Sequence, residues 1–220
     1  MCANYDPIRL SDIAKLGLPQ PTFDFVSEAF PQDLCPILVA GHQADLEWRQ
    51  AMFGLVPDWA DDLKFSRHTY NARMETVATK PSYRSAWRKN QFALIPMQSF
   101  YEPCYESGKA VRWKIERLDH EPFTVGAIWD TWSDSLDTIR SFSMLTINAD
   151  QNAVMKYFHK PEDEKRSLII IPPEFRNDWL HADHKTAIEL IHEMSVTDFH
   201  GVPAPLVRKT KAKSMNNELF

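Results

Sequence analysis

The chain has 220 residues, 44% of them hydrophobic and 25% charged, with a formal net charge of −5, which fits one globular domain of ordinary composition. Only 6 glycines, with no GxGxxG and no phosphate-binding P-loop pattern, argue against a nucleotide-cofactor fold. There is no apolar run of about 18 residues, the stretch Met1 to Leu10 lacks the apolar core of a secretory signal, and the 3 scattered cysteines (Cys2, Cys35, Cys104) fit neither a disulfide framework nor a CxxC zinc site. A reducing, cytoplasmic setting is therefore expected.

In chain order, residues 5–35 alternate short apolar clusters with prolines and read as loops around one short helix near Leu10–Leu16. A strand is predicted at Cys35–Ala40, and Phe53–Trp59 is a buried apolar run stopped by Pro57. A short helix at Tyr83–Asn90 leads into a strand at Gln91–Pro96. Further strands are predicted at Ala110–Arg117, Phe123–Trp129, Phe142–Asn148 and Leu168–Pro172, rich in β-branched and aromatic residues. Ala187, Ile188, Ile191 and Met194 recur at helical spacing after Asp183–Lys185, which predicts an amphipathic helix packed on the core. The predicted architecture is α+β, a single domain (1–207) with a curved, mostly antiparallel, barrel-like sheet and flanking helices. Residues 208–220, beginning with the basic RKTKAK run, are expected to be a mobile tail.

Charge is unevenly distributed. From Lys64 to Lys89 there are seven basic residues (Lys64, Arg67, Arg73, Lys80, Arg84, Arg88, Lys89) against one acid, Glu75. Such a stretch is either a solvated face or a phosphate-binding stripe.

Cys2 is the first candidate for chemistry. Removal of the initiator Met leaves a thiol and an α-amine on one carbon skeleton. The amine condenses with an aldehyde to an imine, and the thiol closes on that imine to give a thiazolidine. Taken alone, Cys2 also reads as a chance cysteine near a frayed end. Three other segments stand beside it: the polar loop Asn71-Ala72-Arg73-Met74-Glu75-Thr76, the carboxylate of Glu102 just beyond the strand ending at Pro96, and His159. Each alone has an ordinary surface explanation.

Together they resemble the SOS-response-associated peptidase (SRAP) family, whose members sense abasic sites in DNA. The family begins Met-Cys-Gly-Arg, here Met1-Cys2-Ala3-Asn4. Its W-G-L-(V/I)-P-x-W segment is Phe53 to Trp59, its N-A-R-x-E-T is Asn71 to Thr76, and its G-F-Y-E-W is Ser99 to Pro103. A T-x-A strand stands at Thr146-Ile147-Asn148-Ala149, and His159 matches the His that opens H-D-R-M-P. Order and spacing hold from residue 2 to about residue 180, most of the chain.

The resemblance implies covalent capture of abasic sites in single-stranded DNA by Cys2, with Asn71, Glu102 and His159 as catalytic partners. Glu102 is expected to move protons, with a pKa raised by its apolar surroundings. His159 is expected to assist, titrating near neutrality, and Asn71 to hold the amine and sugar in attacking geometry. Arg73 is the expected phosphate ligand, with further DNA contacts at Asn4, Trp59, Arg84, Pro103 and Thr146. No metal, no cofactor and no membrane partner are implied, and the protein is expected to be a monomer, nucleoid-associated if bacterial. The chain departs from the family at Ala3-Asn4, which removes a cation beside the nucleophile. Pro103 removes a Trp that would stack on a base, and Lys160-Pro161 replaces the Asp-Arg after the His. Other readings are a cysteine-type peptidase or autopeptidase using Cys2, His159 and Glu102, a DNA lyase, and a noncatalytic nucleic-acid-binding module. A metal enzyme built on His181, His184 and His192 lacks a strong third ligand.

Overall fold

The structure is a computed structural model that describes residues 2–41, 46–194 and 198–206. The basic run 208–213 and the proposed domain end at 207 lie outside those residues.

Eleven strands form one mixed sheet: β1 (Tyr5–Pro7), β2 (Leu34–Ala40), β3 (Leu46–Phe53), β4 (Asn71–Arg73), β5 (Phe92–Cys104), β6 (Val111–Arg117), β7 (Phe123–Ser133), β8 (Thr138–Asn148), β9 (Arg166–Leu168), β10 (Ile170–Ile171) and β11 (Phe199–Pro203). Pairing is antiparallel except for β3 and β4, which both run parallel to β8. Because β5 pairs with both β2 and β7, the strands β5, β7, β8, β3 and β2 close into a five-membered ring. The fold is α+β, as expected, and the helices are few.

The strand expected to end at Pro96 instead continues to Cys104. Proline removes a donor, yet the Pro96 carbonyl accepts from the Ile8 amide (3.1 Å). The strand also changes neighbours there: Phe92–Met97 lie against β7, while Ser99–Cys104 lie against β6. Glu102 is therefore a strand residue, not a loop residue. Similarly, Asn71–Arg73 is not a polar loop but a short strand on the edge of β8.

Alternation along β5 separates two cores. Ala93, Ile95 and Met97 point into one with Tyr5, Phe53 and Phe142, and Cys2 belongs to it. Phe92 and Leu94 point into the other, beneath α1 (Arg84–Arg88), α2 (Arg176–His181) and α3 (His184–Glu193). The α3 helix starts where Asp183 accepts from the amides of Lys185 and Thr186 (2.9 and 2.8 Å), an N-cap. Its inward face is Ala187 and Leu190 with Ile191 and Met194 packed beside them, so three of the four predicted positions face the core and Ile188 alone is exposed. Gly54 explains why the Phe53–Trp59 motif carries a glycine: its φ is 107°, and a Cβ there would run into the Ser66 carbonyl. Among the described residues no helix is long and apolar enough to cross a membrane.

Candidate active site

The second half of β5 positions the pocket. Its outer neighbour is β1, with Tyr5 opposite Phe100, so residues 2–4 run on alongside Tyr101 and Glu102. The Tyr101 amide donates to the Asn4 carbonyl (2.9 Å) and fixes that register. On the same strand the Pro103 carbonyl accepts from the His159 amide (2.9 Å), and Cys104 bridges to Phe158. From the far side β4 brings Asn71, whose Nδ2 donates to the Cys2 carbonyl (2.7 Å). Four residues spread over 158 positions of sequence thus meet at one end of the inner core: Cys2, Asn71, Glu102 and His159, all of them buried.

Their electrostatics follow from that burial. The Cys2 thiol is pushed up to about 12, first by burial and then by the Glu102 charge. Its Sγ is 3.4 Å from the Asn4 carbonyl, to which it donates. Burial pushes the Glu102 carboxyl up to about 7, so its proton exchanges near neutrality. His159 differs from expectation: burial pushes its imidazole down to about 4, and it is neutral at pH 7. Its Nδ1 lies 3.4 Å from a Glu102 carboxylate oxygen, and Nε2 lies 3.3 Å from the Arg166 carbonyl. The His159 backbone has φ 65°, a left-handed conformation that histidine adopts more readily than most residues. The Asn71 Oδ1 is buried and makes no hydrogen bond among the described residues. That atom is free to accept from a ligand.

Several contributors carry no clear signal in the sequence. Tyr83 donates its hydroxyl to the Asn71 carbonyl (3.0 Å) and so steadies β4 from α1. Tyr70 is half-buried, and its phenol is raised by burial and by the charges of Cys2 and Glu102. The guanidinium of Arg112 donates to Asn4 Oδ1 (3.1 and 2.6 Å), lies 3.3 Å above the Tyr101 ring and pairs with Glu28. A cation thus reaches position 4 from β6, although the residue there is Asn. Likewise, the arginine missing at Lys160-Pro161 is supplied by Arg166, which is buried and donates to the Thr146 carbonyl (2.7 Å). The clue to both was the strand register, which no short motif reveals.

The expected DNA contacts divide. Arg73 and Arg84 are exposed, and Trp59 is exposed beside Phe65 with its ring nitrogen 3.4 Å from the Pro81 carbonyl. Pro103 is partly exposed. Asn4 and Thr146 are buried and held by internal hydrogen bonds. All seven basic residues between Lys64 and Lys89 are exposed. His181 ends α2, whereas His184 and His192 both lie in α3, so the three histidines do not share one helical face. No group of three or more His, Cys, Asp or Glu among the described residues is placed to hold a metal ion.

A model of the family described as SOS response associated peptidase (SRAP) matches residues 13–206. Cys2 precedes the matched span, so its assignment stands on the contacts above. Among curated proteins the chain is 28% identical over 133 residues to the abasic site processing protein YoaM of Bacillus subtilis, covering 59% of this chain and 54% of that one. It is 24% identical over 147 residues to the abasic site processing protein YedK of Escherichia coli, covering 67% and 61%. The corresponding protein HMCES of Xenopus tropicalis is 24% identical over 208 residues, covering 78% and 59%. The matches thus span 54% to 61% of the length of these relatives. A crystal structure of a Bordetella bronchiseptica protein superposes with a TM-score of 0.85 at 26% identity, covering 93% of this chain and 100% of that one. A Bacteroides thetaiotaomicron structure gives 0.75 at 19% identity, covering 92% and 91%.

Proposed function

This chain belongs to the SOS response associated peptidase family, and from that membership and the pocket around Cys2 we propose that it processes abasic sites in single-stranded DNA by covalent capture. The observation that carries the reading is the hydrogen bond from Asn71 to the Cys2 carbonyl in a buried cluster that also holds Glu102 and His159. That bond anchors the second residue so that, once Met1 is removed, its α-amine and thiol face one small volume. The names of the relatives in three genera supply the substrate class.

Each step follows from a residue's protonation state. An abasic deoxyribose is mainly a closed hemiacetal, so a proton must leave the C1′ hydroxyl as another reaches the ring oxygen. Glu102, titrating near 7, serves in both directions at physiological pH. The α-amine adds to the C1′ aldehyde, and loss of water gives the imine, with Glu102 protonating the departing hydroxyl. The Cys2 thiol then adds to the imine carbon while its proton moves to nitrogen, closing the thiazolidine. Overall, aldehyde and aminothiol yield ring and water, with no change of oxidation state. A thiol pushed up to about 12 is protonated at rest, so the amine acts first and the thiol second. The same shift weighs against a thiolate-first peptidase, which needs the thiol pKa lowered instead. His159, neutral and 3.4 Å from Glu102, steers the carboxylate. The unsatisfied Asn71 Oδ1 orients the amine or a sugar hydroxyl.

Mass spectrometry of the protein mixed with uracil-glycosylase-treated single-stranded DNA tests this. A heat-stable adduct lighter than the sum of its parts by one water is expected, located on Cys2. Peptide cleavage without an adduct, or salt-sensitive binding alone, overturns the proposal.

A further inference from the structure

Beside the cluster around Cys2, the Glu164 carboxylate gathers donors from three strands. Arg166 is 3% exposed and is fixed in β9 opposite Asn148 of β8. Its guanidinium forms a two-point pair with Glu75 (2.8 and 2.8 Å) and also donates to the Thr146 carbonyl and hydroxyl (2.7 and 3.2 Å). Its Nε is buried with no partner among the described residues. The remaining Nη1 donor reaches Glu164 (2.7 Å). Arg73 Nη2 pairs with that same carboxylate, and Asn148 Nδ2 donates to it (3.2 Å). Three donors from three strands therefore converge on a single anion.

The donors and the anion differ in how firmly they are held. The guanidinium of Arg166 is locked by burial and by strand pairing. Glu164, with 37% of its side chain exposed, belongs to the acidic turn Glu162–Glu164 that precedes β9, and it can swing into water. The position also suits a nucleic-acid backbone. Arg73 is two residues from Asn71 on β4, and the Arg166 carbonyl contacts the His159 ring. An anion here would therefore flank whatever the pocket holds.

We propose that Glu164 is a built-in competitor: in the free protein it fills the subsite, formed by the expected phosphate ligand Arg73 with Arg166 and Asn148, that one backbone phosphate of the bound strand takes. The inference rests on the reading that this chain binds single-stranded DNA. A phosphodiester brings two unesterified oxygens to the same forked donors that now hold the two carboxylate oxygens. Binding must displace Glu164, so affinity for intact strands is held down. Weakening nonspecific binding in this way leaves the covalent step to retain the protein at damaged sites.

The test is fluorescence anisotropy with an undamaged, labelled single-stranded oligonucleotide at fixed salt, using the full chain. Glu164→Gln should bind about threefold to tenfold more tightly, the size expected when a partly exposed charge pair is removed from competition. Asp163→Asn, which removes a neighbouring acid that is also exposed, should change affinity by less than about twofold. In an Arg73→Ala background the gain from Glu164→Gln should shrink by at least half, because the subsite has lost a donor. The subsite is overturned if Glu164→Gln binds no more tightly, if Asp163→Asn gains as much, or if the gain survives intact without Arg73. Adduct formation with abasic DNA is scored separately. Adduct without tightening sinks the subsite alone, and tightening without adduct sinks the covalent capture alone.

Discussion

The pocket around Cys2 and the basic stripe from Lys64 to Lys89 are built in opposite ways. In the pocket Cys2, Asn71, Glu102 and His159 are buried, two hydrogen-bonded strand edges hold the backbone, and burial moves three pKa values far from their usual range. Along the stripe every cation is exposed, and the pairs it makes among the described residues are few: Arg67 with Gln32, Arg73 with Glu164, and Lys89 with Asp130. Chemistry needs fixed geometry and a low dielectric, where a proton's position depends on its neighbours. Attraction to a polyanion needs only charge, which acts through water and survives loose side chains. Changes in the pocket should therefore alter rate at any DNA concentration, and changes along the stripe should alter affinity.

The strongest break of that contrast is at Cys2. Cys2→Ala keeps the amine and loses the thiol, so no heat-stable adduct should form at any DNA concentration. Borohydride should still trap an imine. A stable adduct from Cys2→Ala on a denaturing gel would remove the thiazolidine step.

Next come the proton carriers. Glu102→Gln should slow crosslinking by about 10²–10⁴-fold, the usual size of general acid–base effects, and DNA affinity should hold. The rate of the unmodified protein should change with a midpoint near pH 7, and that midpoint should vanish in Glu102→Gln. If the midpoint persists in the variant, another group is titrating.

The same carboxyl should leave a mark on stability. Its folded pKa is raised from 4.5 to about 7, so protonation favours the fold. Below pH 4.5 the carboxyl is protonated in both states and carries no penalty; the penalty grows as pH rises and is complete above about 7. Thermal or urea unfolding should show Glu102→Gln gaining on the unmodified protein across that window, by on the order of 3 kcal/mol at its upper end. A constant difference between the two proteins at all pH values would mean that the buried charge is compensated.

Asn71→Ala and Arg73→Ala set pocket against stripe directly. The first should lower the crosslinking rate at every DNA concentration, by about tenfold or more for lost positioning. The second should be largely rescued at saturating DNA. The opposite pattern would exchange the two roles. The smallest effects are expected at Lys80 and Arg84. Each alanine should weaken binding a few-fold and lower the slope of log affinity against log salt by about 0.7, the value for one phosphate contact on a single strand. A slope left unchanged would place that residue outside the interface.

The sequence by itself determined which chemistry-bearing residues this chain carries and the order of most of its elements. The short helix at Leu10–Leu16, the strands near Cys35–Ala40 and Val111–Arg117, and α3 behind its Asp183 cap were all legible, because local spacing and capping are written in neighbouring residues. Only the tertiary structure decided what long-range pairing controls. It carried β5 through Pro96 to Glu102 by a change of neighbours, and set Asn71 on the Cys2 carbonyl across 69 positions. It brought the Arg112 guanidinium to Asn4 and the Arg166 carbonyl to the His159 ring, from positions no motif marks. It also moved the titration of His159 well below pH 7, because the pKa of a side chain is set by the solvent it loses, and burial is a property of the folded neighbours around it.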